Sequence, residues 1–131
     1  MKSFHIIILL ILSLISSNSF AQNQKERKGY AVSVNLKFDE AEMTKEEFQN
    51  ATFGVHSFYP EMVGRVGLKA FTVKYPGQKE IKITGNKLSD EAILGLKKLK
   101  AGDVITVFDA LSEPVGDYRV EIRGPMLITL Q

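Results

Sequence analysis

His56 and Ser57 stand side by side in the chain. A histidine beside a hydroxyl is raw material for general-base or nucleophilic chemistry, provided an acid orients the ring and a pocket holds the substrate. The sequence names neither partner, and the surrounding stretch has no clear period, so a surface or half-buried histidine is expected. Acids come in two sets. Asp39, Glu40 and Glu42, with Glu46 and Glu47 beyond, lack the glycine turn and bidentate last ligand of a calcium loop. They read as a solvated acidic face. Asp103, Asp109 and Asp117 fall at strand ends and a turn, where capping accounts for each singly. With one histidine after residue 21 and no cysteine, a zinc set would rest on carboxylates alone. No catalytic residue, cofactor site or metal site is expected.

A different kind of site is carried by Gly85 to Thr106 (GNKLSDEAILGLKKLKAGDVIT). Ser89 is a candidate N-cap, and Asp90 and Glu91 place negative charge at the positive end of a helix. Lys97, Lys98 and Lys100 crowd its other end, and Gly102 suits the left-handed conformation that closes a helix. Ala92, Ile93, Leu96 and Leu99 share one stripe and should be buried. Leu94 lies about 200° from Ala92, away from that stripe. It is either an anchor for a partner, with Lys97 and Lys98 beside it, or a residue under a loop. The lysines also suit a solvated helix end.

The remaining elements follow from period and punctuation. Tyr30, Val32, Val34, Leu36 and Phe38 alternate with Ala31, Ser33, Asn35 and Lys37, which predicts one half-buried strand. Thr44 is a candidate N-cap for a short helix through Phe48. Ala51 to Gly64 suggests a short strand and then a loop. Val66, Leu68 and Ala70 share one parity and Phe71, Val73 and Tyr75 the other, so either a bulge lies near Ala70 or the strand is covered on both faces. Pro76-Gly77 turns the chain, and Glu80 to Thr84 returns as a hairpin partner. Val104 to Phe108 reads as a central strand. Tyr118, Val120 and Ile122 predict another, and Met126 to Leu130 one more. That strand could sit at an edge and accept a strand from another chain, or lie in the middle already paired. Six or seven short strands and one good helix describe a mostly β, mostly antiparallel sandwich with a helix inserted at one connection.

Composition bounds the setting. Of 131 residues, the first 21 read as a secretory signal peptide: Lys2, an apolar run from Phe4 to Ile15, and cleavage between Ala21 and Gln22. The run covers 12 positions, short of the roughly 20 that span a bilayer. Gln22 to Gly29 is a polar leader, and residues 30–131 form one domain. Loss of Lys2 leaves 16 basic and 15 acidic residues, which gives no basic excess for nucleic acid or a membrane surface. With no cysteine, an exported chain is held by its core rather than by disulfides.

In the same order along the chain stand Met43-Thr44-Lys45-Glu46-Glu47-Phe48, Phe71-Thr72-Val73, Gly85-Asn86-Lys87-Leu88-Ser89, Leu96-Lys97-Lys98-Leu99-Lys100-Ala101-Gly102-Asp103 and Gly124-Pro125-Met126-Leu127-Ile128. With these pieces, residues 43–131 resemble the C-terminal domain of GldM (PorM), a periplasmic component of gliding-motility and type IX secretion machinery. The resemblance implies an immunoglobulin-like β-sandwich, no catalytic residues, no cofactor, and a function in protein–protein contact. It differs from the full-length family proteins in having a single module and no apolar run long enough for their membrane helix. The expectation is therefore a periplasmic or secreted interaction domain with a protein partner, self-association being one form of that contact. Two alternatives remain: a periplasmic small-ligand binder, and an accessory or inhibitor subunit of an exported enzyme.

Overall fold

A computed structural model describes residues 29–59 and 66–131. The expected signal peptide and nearly all of the expected leader lie outside the described residues. Among these, no helix is long and apolar enough to cross a membrane.

The chain is mostly β, arranged in two sheets. In order it forms β1 (Tyr30–Val34), β2 (Lys37–Phe38), β3 (Glu40–Met43), α1 (Lys45–Gln49), β4 (Phe53–Ser57), β5 (Leu68–Lys74), β6 (Ile81–Thr84), α2 (Asp90–Leu96), β7 (Val104–Ser112), β8 (Ile122–Arg123) and β9 (Met126–Leu130). One sheet has β4 on one side of β1, while β2 and β8 share its other side. The second runs β3-β9-β7-β5-β6. Five of the seven pairings are antiparallel; β1 with β8 and β3 with β9 are parallel. The strand beginning at Met126 is therefore not an edge.

The predicted strand from Tyr30 to Phe38 is broken after Val34. Asn35 and Leu36 take φ of 50° and 68°, and Val34 pairs with Lys37 across them. Two consecutive left-handed residues make the type I′ hairpin turn that matches strand twist. Asn35 secures the turn by accepting from the Thr52 N–H through Oδ1 at 3.0 Å. Nor is β1 half-buried: all five of its residues are buried. Val32 and Val34 face the core, while Ala31 and Ser33 lie under rings from β2 and β4.

Between this hairpin and α1 the chain adds β3, an extra strand where only a solvated acidic face was expected. Thr44 caps α1 as expected, and with Glu47 forms a reciprocal capping box. The predicted bulge is real. Between β5 and β7 the register shifts on both sides of Ala70, and Asp109 on β7 takes a φ of 49° there. The strand expected over Tyr118 to Ile122 shrinks to β8. Tyr118 instead bridges back to Val115, and the Ser112 hydroxyl accepts the Val120 N–H at 3.1 Å. A side chain has replaced a ladder rung.

The sheets close on aromatic rings. Phe53 and Phe71 stack at 4.3 Å across the two sheets, and Phe48 of α1 meets Phe53 edge-on at 5.7 Å. Ala92, Leu96 and Leu99 are buried in the same core, with Ile93 packed at its margin. That is the predicted stripe. The helix itself ends at Leu96, earlier than expected, because Lys98 and Leu99 turn tightly onto the Gly95 and Leu96 carbonyls. Gly102 is left-handed, as expected, but sits beyond that turn with its N–H bonded to the Leu130 carbonyl at 2.8 Å.

Candidate functional site

His56 lies on the outer face of β4, opposite Ala31. Small residues at Ala31, Ser33 and Gly54 leave space on this face, and rings occupy it. Phe38 stacks on the imidazole at 4.2 Å, Phe58 meets it edge-on at 4.8 Å, and the Arg123 guanidinium carbon lies 5.3 Å from the Phe58 ring centre. Expected at the surface or half-buried, the histidine is half-buried and has carbon rings as neighbours. Ser57 turns elsewhere: its hydroxyl accepts the Tyr59 N–H at 3.1 Å and closes a local turn. The pair adjacent in sequence is not assembled as a base and its nucleophile.

The carboxylates are dispersed into structural work. Glu47 belongs to the capping box, Asp103 accepts the Lys100 N–H at 2.9 Å, and Asp109 stands at the bulge. Among the described residues no group of three or more His, Cys, Asp or Glu could hold a metal ion. Nor does any buried side-chain nitrogen or oxygen among them lack a hydrogen-bond partner. Burial holds the Tyr75 hydroxyl protonated far above the usual tyrosine range. It donates to the Ala92 carbonyl and serves packing.

Of the residues predicted to meet a partner, Leu94 is 61% exposed on α2, on the side away from the buried stripe. Lys97 and Lys98 are exposed beside it. The Lys97 carbonyl accepts from the Lys45 amine at 3.4 Å, which ties the end of α2 to α1. Leu94 does not line the larger surface depression described below.

The larger surface feature lies elsewhere. Thr72 and Lys74 of β5, Lys82 and Thr84 of β6, and Thr106 and Phe108 of β7 share the sheet face opposite the core. They floor an open groove of about 1020 Å³, walled by Leu111 and by Val120 to Ile122 with Pro125. The groove exists because the chain leaves β7 at Ser112, crosses this face, and joins the other sheet at β8. Sequence pattern pointed toward it only through the apolar parity of Val120 and Ile122. The bulge that the parity switch near Ala70 pointed to is completed on β7 at Asp109, a position no residue type marked, and Ala110 and Leu111 line the groove beyond it. Leu36, 90% exposed at the hairpin tip, was also unexpected.

No family model matches the chain, and no curated protein matches it.

Proposed function

We propose that this chain is an exported, non-catalytic protein–protein interaction module of the kind exemplified by the C-terminal domain of GldM, working beside gliding or type IX secretion machinery. The observation that carries the reading is the open groove across β5, β6 and β7, with Phe108, Leu111, Val120 and Ile122 exposing apolar surface on a rigid sheet. Exposed Leu94 adds a second apolar contact point. The resemblance of residues 43–131 to the GldM domain supplies the setting and the periplasmic location.

The volume of the groove, about 1020 Å³, lies near the upper end of small-molecule sites, which favours a ligand-binding role as the second reading. Against it stands the groove's open form, since small-molecule sites bury most of their ligand. A photo-crosslinking residue placed at Leu111 or at Leu94 in the native cell envelope separates the two. A discrete protein adduct from either position, absent at Glu91, supports the interaction module. No adduct, with a small molecule co-purifying on the protein, overturns it.

A further inference from the structure

The sheet edge beside the groove has an orientation that can be read from its register. The β5–β6 rungs run from Ala70 opposite Thr84 to Val73 opposite Ile81. The Gly85 N–H bonds the Lys69 carbonyl at 2.7 Å, one rung further in the same register. Hydrogen-bonded and non-hydrogen-bonded rungs alternate in an antiparallel pair. The rungs of Ile83 and Ile81 are therefore the bonded ones, and the N–H and C=O groups of Lys82 and Thr84 point away from β5. No described strand lies beyond β6. The strand has no proline, and its register with β5 is unbroken.

Its chemistry is two-sided. Lys82 and Thr84 face the groove, while Ile81 and Ile83 continue the core row. Within Lys79 to Lys87 there are three lysines and one glutamate. Lys87 is engaged by the Thr52 hydroxyl at 2.9 Å, and Lys74 on the neighbouring strand by the Tyr75 and Gln78 carbonyls. Lys82 is exposed and points along the groove rim. A cross-strand acid is its natural complement. Lysine at an edge also discourages indiscriminate pairing, which narrows the edge to partners that neutralise it.

We propose that β6 accepts, as a further strand of this sheet, an extended segment of another polypeptide in which acidic residues alternate with apolar ones. Main-chain bonds to Lys82 and Thr84 would hold the segment, acids would lie beside Lys82 on the groove face, and apolar residues would extend the Ile81–Ile83 row. The proposal rests on the interaction reading above and gives it a site and a partner chemistry.

The test is residue-resolved amide hydrogen exchange on the protein, with a short capped peptide of alternating glutamate and valine and its lysine–valine counterpart as probes. Near saturation, the acidic peptide should slow exchange at Lys82 and Thr84 about tenfold, and the basic one should not. Lys82→Glu should reverse that preference. Thr84→Pro should abolish protection at Lys82 without unfolding the sheet, because the N–H it removes is not bonded to β5. Unchanged exchange at both residues, or equal slowing by both peptides, overturns the proposal. Protection confined to Phe108 and Ile122 overturns the edge site while leaving the interaction reading intact. That reading falls only if the crosslinking experiment also fails.

Discussion

The Tyr75 hydroxyl donates a 2.7 Å hydrogen bond to the Ala92 carbonyl, so the residue that follows β5 holds the first turn of α2. Gln78, three residues on, donates to the Gly95 carbonyl at 3.0 Å. The helix carrying Leu94 is thus fastened to the β5–β6 turn by two side chains that reach its backbone.

The first prediction concerns Tyr75 and pH. Tyr75→Phe should cost about 1 kcal/mol at neutral pH, the worth of one buried hydrogen bond. Burial raises the folded-state pKa above its ordinary value of 10.0. The folded state therefore keeps a proton that the unfolded state releases. The stability this contributes is complete below about pH 10 and declines as pH rises beyond it, by about 1.4 kcal/mol per pH unit. In denaturant titrations the gap between wild type and Tyr75→Phe should shrink above pH 10; a constant gap would refute the buried phenol.

At Gly95 the helix backbone lies against the Tyr75 ring. An added Cβ would stand 2.6 Å from Gln78 Oε1 and 2.9 Å from Tyr75 Cε2. The glutamine can swing aside, but the buried ring cannot do so freely. Gly95→Ala should therefore destabilise by about 1–3 kcal/mol despite alanine's better helix propensity. Thermal unfolding reads the sign directly.

Leu36 is both left-handed and exposed at the hairpin tip. Relief of the left-handed penalty, about 1–2 kcal/mol, exceeds the added backbone entropy of glycine, about 0.5–1 kcal/mol. Leu36→Gly should raise stability by up to about 1 kcal/mol. A loss of stability on chemical denaturation would refute the backbone strain assigned to Leu36.

Leu94→Asp tests the outer face of α2. With the side chain 61% exposed, stability should change by no more than about 0.5 kcal/mol. Loss, in this variant, of a crosslink formed from a photo-crosslinking residue at exposed Lys98 would then report docking, not unfolding.

Much of the architecture was legible because burial imposes its period on the chain. Ser89, the Ala92–Leu99 stripe, the hairpin around Pro76-Gly77 and the central strand at Val104 could all be read from residue types. What escaped notice has physical reasons in common. The turn at Asn35-Leu36 carries no glycine, so alternation seemed to run straight through it. Strand β3 has exposed Glu40 and Glu42 because it flanks β9 at a sheet margin, and its pattern gives little apolar signal. The stretch from Tyr118 has strand parity, yet its backbone is held by Ser112, a partner separated by eight positions. The groove depends on a crossing connection as well as on the bulge, and where the chain crosses is a property of register rather than of any residue type. His56, expected at the surface or half-buried, is half-buried, but the Phe38 ring stacked on it comes from another strand.

The position of β9 between β3 and β7 has a bearing on how the protein is made. It is the last element in chain order, yet it joins a strand near the start of the domain to the middle of the sheet. A chain synthesised from its N-terminus cannot complete that sheet until residues 126–130 have emerged, so its topology delays closure.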